Sequence, residues 1–439
     1  MEQRRKNLTQ LFIPICLETL LYMLSGMVDT LMLSSVNDQA VGAVGTANTY
    51  IGIFIIMFSV ISSGMVAVMT QNIGAGRPGV AYQARQLGLA FNAVLGVIMS
   101  LFLSLGAGTI LSGVGVADAL MQPAKTYLQI VGGFCILNAL IPICSSYLRA
   151  FGFSKEPLYA SIIGNVINFC LNAFFLFVLH KGVAGVATAT VISRIINLVI
   201  VVLLGAVLVK AKQHPERESN RAVMGQIIRI GLPSACETAI YNVSMTLVIR
   251  FLNQMDAQGL NVTARSYTMQ ITNFSYCVGA ALAQANAIMT GWHIGAKEYD
   301  ACDRGTKKAA VIGVIVAVIL ETVFTLCSGW IMQLFSKDPQ MVSLVGKLLA
   351  IDIVLEIGRV TNLVYGQALK TSGDAVFPVV MGACFMILCS VGGTYLFGIR
   401  LGLLAVGAYI GMTGDECVRA VGMYLRWKSG KWKNKGLVD

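Results

Sequence analysis

Apolar positions along this chain come in long unbroken runs, not in the alternating pattern of half-buried strands. Six windows contain no Asp, Glu, Lys or Arg at all: 39–76, 86–117, 126–148, 157–179, 266–292 and 375–399. Each is longer than the roughly 20 apolar residues that one membrane-crossing helix requires. Short polar breaks separate them. The pattern predicts twelve helices, at 8–33, 45–72, 87–112, 124–148, 157–179, 184–209, 227–252, 263–290, 309–334, 342–369, 376–398 and 402–427. The strands of a membrane β-barrel are about ten residues long and alternate apolar with polar positions, a pattern these runs do not show.

Composition sharpens this reading. The 439 residues are 56% apolar and only 12% charged, with a mean hydropathy of +0.73. So few charges cannot clothe a soluble enzyme, and so much apolar content excludes disorder. The fold class expected is all-α and polytopic in a membrane. The net charge of +11 is a topology signal. With twelve spans, most of the 32 basic residues fall on the side that holds both termini, whereas Lys125, Lys181, Arg250, Arg265, Lys337 and Arg400 fall on the other side or at helix ends. By the positive-inside rule both termini are cytoplasmic. No basic–aromatic stripe suggests nucleic acid as a partner. The first apolar segment carries Glu18 and Asp29 and reads as a retained helix, not a cleaved signal. The eleven cysteines and three histidines lack metal-ligand spacing, so neither a structural metal nor a disulfide framework is expected.

The most hydrophilic stretch, 210–221, lies at the midpoint and reads as part of a cytoplasmic linker over 210–225. Around it the halves repeat. Pro14, Glu18, Thr19, Tyr22 and Ser25 recur as Pro233, Glu237, Thr238, Tyr241 and Ser244, at an offset of 219 residues. Ile73–Ala75 recur as Ile294–Ala296, and Arg149, Gly152 and Pro157 as Lys370, Gly373 and Pro378, at an offset of 221. The organisation expected is a six-helix lobe over 1–209, the linker, a second lobe over 226–427 and a basic tail over 428–439. Six helices per half make the repeats parallel, an arrangement transporters use to place a site between halves.

Charges within a span are costly and mark function or pairing. Glu18, Tyr22, Ser25 and Asp29 share one face of helix 1. Helix 7 repeats the first three as Glu237, Tyr241 and Ser244, but Val248 replaces the aspartate, so the halves are not equivalent. Asp29 is either a functional intramembrane acid or a solvated charge at the helix end. Asn165, Asn168 and Asn172 line one face of helix 5, as oxygen ligands for a hard cation or as helix–helix hydrogen-bonding groups. Helix 10 carries Asp352, Glu356 and Arg359, and helix 12 carries Asp415, Glu416 and Arg419. These are charge pairs that brace the second lobe or members of a proton relay. Glu321 has no local partner, and Arg194 is placed to snorkel towards headgroups. The glycine-rich "IGAGRPG" lacks the Lys-Ser/Thr of a phosphate loop and reads as a turn, and no catalytic set is visible.

An ordered series of short motifs resembles the multidrug and toxic compound extrusion (MATE) family. It runs through "VDT" at 28–30, "QNIGAG" at 71–76, "RAFGFSKEP" at 149–157 and "NFCLN" at 168–172. It continues with "GVAGVATATVIS" at 182–193, "IGLP" at 230–233, "LKTSGDAVFP" at 369–378 and "RWKSGKW" at 426–432. The resemblance implies twelve transmembrane helices in two six-helix parallel-repeat lobes around a V-shaped central cleft. It implies a secondary active antiporter that exports cationic, amphipathic or aromatic small molecules in exchange for sodium or protons by alternating access. Carried over residue by residue, Asp29, Asn168, Asn172 and Thr190 match the coupling-ion site of the first lobe. One branch of the family has Asp where Asn172 stands. In another branch, Tyr241 and Arg359 occupy the neighbourhoods of second-lobe acids, and Glu237 and Glu356 stand one turn away. Glu18, Tyr22, Glu237, Tyr241, Asp352, Glu356 and Arg359 are the candidates for cleft or second-lobe charge.

The expected cofactor is none beyond the coupling ion, sodium or proton, with possible sodium at Asp29. The expected partners are organic cations and membrane lipids, with no nucleic acid, and the expected state is a monomer in the bacterial plasma membrane. A lipid-linked saccharide flippase of the same superfamily is the alternative, and a passive channel ranks below it.

Overall fold

A computed structural model describes residues 6–34, 38–113, 116, 118–210, 214–256, 258–333 and 335–438. These residues form helices with no strand among them. All twelve predicted spans are helical. They are α1 (Leu8–Ser34), α2 (Asp38–Gly74), α3 (Pro78–Gly113), α4 (Asp118–Tyr127) continuing to α5 (Ile136–Ala150), α6 (Lys155–Ala173) and α7 (Gly182–Leu208) in the first half. The second half contains α8 (Asn220–Met255), α9 (Leu260–Gly295), α10 (Tyr299–Leu326), the short α11 (Ser328–Met332), α12 (Pro339–Thr371), α13 (Val376–Phe385) and α14 (Leu404–Lys428). π-helical segments extend α6 over Phe174–Val178 and α13 over Met386–Val391 and Thr394–Arg400. The fourth span is a bent pair, with 43° between its halves.

Seven of these helices are long and apolar enough to cross a membrane by that measure alone, and the bent pair makes an eighth. The remaining four do not pass: α12 and α14 carry clusters of ionisable residues, whereas α8 and α9 are diluted mainly by uncharged polar residues such as Ser, Thr, Asn and Gln. The charges of α12 and α14 are mostly turned inward, where other charges meet them. Large apolar side chains such as Leu105, Val207 and Leu326 point outward instead. This inside-out polarity suits a hydrocarbon solvent.

The chain divides into two compact units at Gly231. In the first, α2 packs on α3, α4 and α5, and α1 packs on α6, α2 and α7. Its core is built largely from small residues such as Ala43, Ala47, Ala107 and Ala139, around Phe58 and Leu103. Small residues let helices approach closely where burial of apolar surface gives no drive. In the second, α12 is central, against α9, α10 and α14, with Leu348, Leu349, Leu355, Tyr409 and Met412 in the core.

Residues 220–225, assigned to the linker from sequence, are the first turns of α8. The linker itself is docked within the first unit. Glu218 pairs with Arg77 in the turn after α2, its backbone N–H donates to Gln83 Oε1 at 3.0 Å, and Gln83 Nε2 donates to Asn220 Oδ1 at 2.6 Å. The tail also packs. Trp432 stacks on Trp427 with ring centroids 4.1 Å apart, and Lys435 Nζ lies 2.7 Å from Asp374 Oδ1.

The sequence repeat has a backbone counterpart. Helix α5 ends where Gly152 (φ 85°) donates to the Arg149 carbonyl at 2.9 Å and Phe153 to that of Leu148 at 2.9 Å. Helix α12 ends the same way, with Gly373 (φ 96°) on Lys370 at 3.0 Å and Asp374 on Leu369 at 2.9 Å. Both ends need the left-handed conformation that glycine adopts without strain.

Candidate functional site

The polar faces of α1 and α6 meet. Both helices run in the same direction, so their repeats stay in register over three turns. Glu18 Oε1 accepts from Ser161 at 3.4 Å, the Leu21 carbonyl from Asn165 Nδ2 at 3.5 Å, and Asp29 Oδ1 from Asn172 Nδ2 at 2.6 Å. Asn172 also donates to Asn168 Oδ1 at 3.2 Å. Asn168 and Asn172 are buried and Asp29 is half-buried. The Oδ1 of Asn172 is buried and has no hydrogen-bond partner. An orphaned buried acceptor is uncommon and points to a missing donor or ion.

Helix α7 closes the other side. Thr190 is buried, and its hydroxyl donates to the Val186 carbonyl at 2.9 Å, which leaves its oxygen lone pairs as acceptors. Arg194, one turn further, lies close enough to act on the charge of Asp29. Tyr127 stands beside Asp29, Arg194 and Asn48. Around Asp29 the first lobe thus gathers the amides of Asn168 and Asn172, a tyrosine with Asn48 behind it, and one guanidinium, with Thr190 one turn before Arg194 on α7. Such a set presents oxygen ligands to a hard cation or shelters a proton.

The other candidates fall elsewhere. Glu18 Oε2 forms an ion pair with Arg149 Nη2 at 2.6 Å, and Glu237 Oε2 forms one with Lys370 Nζ at 2.6 Å. The two pairs are equivalent under the repeat, on the helices that carry Pro14 and Pro233. Tyr22 is 70% exposed, between Glu18 and Asp29 on the same helix. Tyr241 lies near Arg359, as does Tyr276 of α9.

In the second lobe, two charge sets that look separate in sequence fuse into one network. Arg359 Nη1 donates to Glu356 Oε1 at 3.0 Å, and its Nε lies 3.7 Å from Glu416 Oε1. Arg419 holds Glu416 at 2.9 Å and Asp415 at 2.8 Å. Asn362 and Ser390 donate to Glu416 and Asp415, each at 3.0 Å. Fusion requires α12 and α14 to approach very closely. Gly358 allows it, because a Cβ there would stand 2.8 Å from the Cys417 nitrogen and 2.9 Å from the Glu416 carbonyl carbon. Glu321, without a local partner in sequence, is brought beside Asp352 and Glu356.

The family model MatE matches residues 14–174 and 233–396, one match in each lobe. The chain belongs to the MatE family. The uncharacterized transporter YisQ of Bacillus subtilis is 34% identical over 431 residues, spanning 97% of this chain and 94% of that protein. The probable multidrug resistance protein NorM of Thermotoga maritima is 23% identical over 450 residues, spanning 99% and 94%. A MATE protein crystallised in a straight conformation superposes with a TM-score of 0.88 at 20% identity, over 97% of this chain and 96% of that one. The fold is therefore that of a twelve-helix, two-lobed membrane transporter.

As a MatE protein, this chain departs from a sequence reading at three side chains. Arg194 faces the Asp29 cluster from α7, where the sequence suggested a headgroup contact. Its spacing of four residues from Thr190 was the available signal. Tyr127 joins the cluster from the fourth span, and nothing local marked it. Glu321 gains partners from α12, 31 and 35 residues away in sequence.

Proposed function

We propose that this MatE transporter is a secondary active antiporter, which exports cationic, amphipathic or aromatic small molecules in exchange for sodium or protons. The observation that carries the reading is the buried, unpartnered Oδ1 of Asn172 beside Asp29. Sodium at this place would draw on Asp29, Asn168, Asn172 and Thr190, and a proton would sit on Asp29. Either neutralises a carboxylate whose charge is otherwise held by one amide and the field of Arg194. The hydrogen bonds that hold α1 against α6 then change, and Pro14, which cannot donate to the Gln10 carbonyl and leaves it to Ser154 Oγ at 3.0 Å, gives the helix a place to bend. Differential stability of the two conformations with and without the ion is what couples it to cargo. NorM relatives named for multidrug resistance support the export of varied compounds. The basic residues gathered on the side of the termini support a plasma-membrane protein with both ends in the cytoplasm. The monomer is the expected working unit.

The test is efflux of a fluorescent organic cation from proteoliposomes under an imposed sodium or proton gradient. One gradient is expected to drive wild-type efflux and to fail with Asp29→Asn. Full coupled efflux by Asp29→Asn would overturn the assignment of the coupling site. No efflux under either gradient would refute a cationic cargo and move the flippase reading to the front.

A further inference from the structure

The second lobe holds more buried negative charge than its own basic residues neutralise. Glu321 of α10 is 0% exposed, and Asp352 and Glu356 of α12 are 2% and 0% exposed. One oxygen from each lies within 4.8 Å of the others. Glu356 alone of the three is ion-paired, to Arg359, and only through Oε1. Both oxygens of Glu321, Oδ2 of Asp352 and Oε2 of Glu356 are buried without a hydrogen-bond partner. A fourth oxygen comes from another helix. Ser275 of α9 is 1% exposed, its hydroxyl has no hydrogen-bond partner within 3.5 Å, and it faces Glu321 at slightly longer range.

The charged and titratable surroundings do not supply the missing partner. From α14, Asp415 and Glu416 occupy Arg419, and Tyr409 stands next to Asp352. From α9, Arg265 is directed at the Met245 sulfur, 3.7 Å away, and Tyr276 lies near Arg359. From α8, Tyr241 lies near Arg359. Three carboxylates therefore share one guanidinium, which is itself also in contact with Glu416, in a medium where an uncompensated charge is costly.

We infer that Glu321, Asp352, Glu356 and Ser275 form a cation site within the second lobe that takes a hard metal ion through oxygen ligands. The three carboxylate oxygens, all within 4.8 Å of one another, need to close on a common centre by no more than a few tenths of an ångström to reach one ion at the roughly 2.3–2.6 Å typical of such ligands. Counting Glu321, Asp352 and Glu356 against Arg359 alone, the net charge of −2 is balanced by one divalent ion, or by one sodium ion together with one proton. It is separate from the Asp29 cluster, which lies in the other lobe. It is also offset from the positions of Tyr241 and Arg359, where the family resemblance would place second-lobe acids.

The experiment uses the full-length Asp29→Asn protein, so that any ion held in the first lobe is removed and the result is independent of the transport reading. Binding of radioactive sodium and, separately, of radioactive calcium is measured on the purified protein in detergent. One of the two ions is expected to saturate at one per chain, and which one does so fixes the valence. Adding Glu321→Gln or Asp352→Asn is expected to weaken that binding at least tenfold, and Ser275→Ala, a milder change, about threefold. Bound ion should also raise the unfolding temperature in the Asp29→Asn protein and not after Glu321→Gln is added. Saturable binding of neither ion, or equal affinity with and without Glu321→Gln in a monodisperse sample, would overturn the inference and leave the three carboxyls as proton carriers only.

Discussion

Reversing the Glu18–Arg149 pair tests whether the repeat is energetic as well as geometric. The two groups lie 2.6 Å apart, with side chains 15% and 11% exposed respectively, and the Glu237–Lys370 pair has the same separation with 14% on each side. At 2.6 Å and an effective dielectric of about 20, the gross attraction is about 6 kcal/mol. Withdrawing both charges from water offsets much of that, leaving a net coupling of about 2 kcal/mol. Removing one partner strands the other charge, at a cost of about 3 kcal/mol. For a lobe of this size that is a fall of about 6–12 °C in unfolding temperature for Arg149→Ala. The charge-reversed double variant, Glu18→Arg with Arg149→Glu, should recover more than half of the loss. Lys370→Ala and the corresponding reversal should give shifts of similar size. Thermal unfolding followed with a thiol-reactive dye is suitable once the exposed Cys170, Cys236, Cys327 and Cys384 have been blocked, because Cys16, Cys135, Cys144, Cys277 and Cys302 are buried in the native protein. Single substitutions that move the midpoint by less than about 1 °C, or a reversal that recovers nothing, would refute the reasoning. The pairs would then be surface-like contacts of negligible energy.

Two other substitutions probe contacts that only the fold creates. Gly358→Ala should destabilise the second lobe by about 1–3 kcal/mol, because its Cβ meets backbone atoms of α14 that cannot turn aside. Gly358→Val should cost more, and the same unfolding assay ranks the two. The tail should also release in acid. Burial alone would raise the Asp374 carboxyl, but hydrogen bonds and charge from Arg426 and Lys435 outweigh it and hold the group below its ordinary value of 3.8. The stability it lends is therefore complete above that ordinary value and is lost as the pH falls through the lower, folded value. Trypsin cleavage at Lys431, Lys433 and Lys435 should be slow at neutral pH in wild type and fast in Asp374→Asn. Equal rates would show that Trp432 alone holds the tail.

Much of the architecture was legible because a membrane imposes a coarse rule. Every span must satisfy its backbone internally and stay apolar for about 20 residues, so the runs themselves predicted the twelve helices. Boundaries were less legible where polar residues continue a helix beyond the apolar core, as at Asn220, where α8 begins inside the assigned linker. The Asp29 cluster was partly legible. Helical periodicity puts Glu18, Tyr22, Ser25 and Asp29 on one face and Asn165, Asn168 and Asn172 on another, but periodicity is blind to which faces meet. The fold brings those two together, pairs Glu18 with Arg149, and leaves Tyr22 exposed.

The sequence by itself determined the class of solvent, the number of spans, the two-fold repeat and the polar faces. These follow from local composition and a period of 3.6 residues, both written along the chain. The tertiary structure decided the partners. Arg194 and Tyr127 beside Asp29, the fusion of two charge sets across Gly358, and the meeting of Glu321 with Asp352 and Glu356 all join residues from different helices. Pairing of that kind depends on which helices become neighbours and how closely their backbones approach. Side-chain volumes across a whole lobe set that distance, and no local stretch of sequence encodes it.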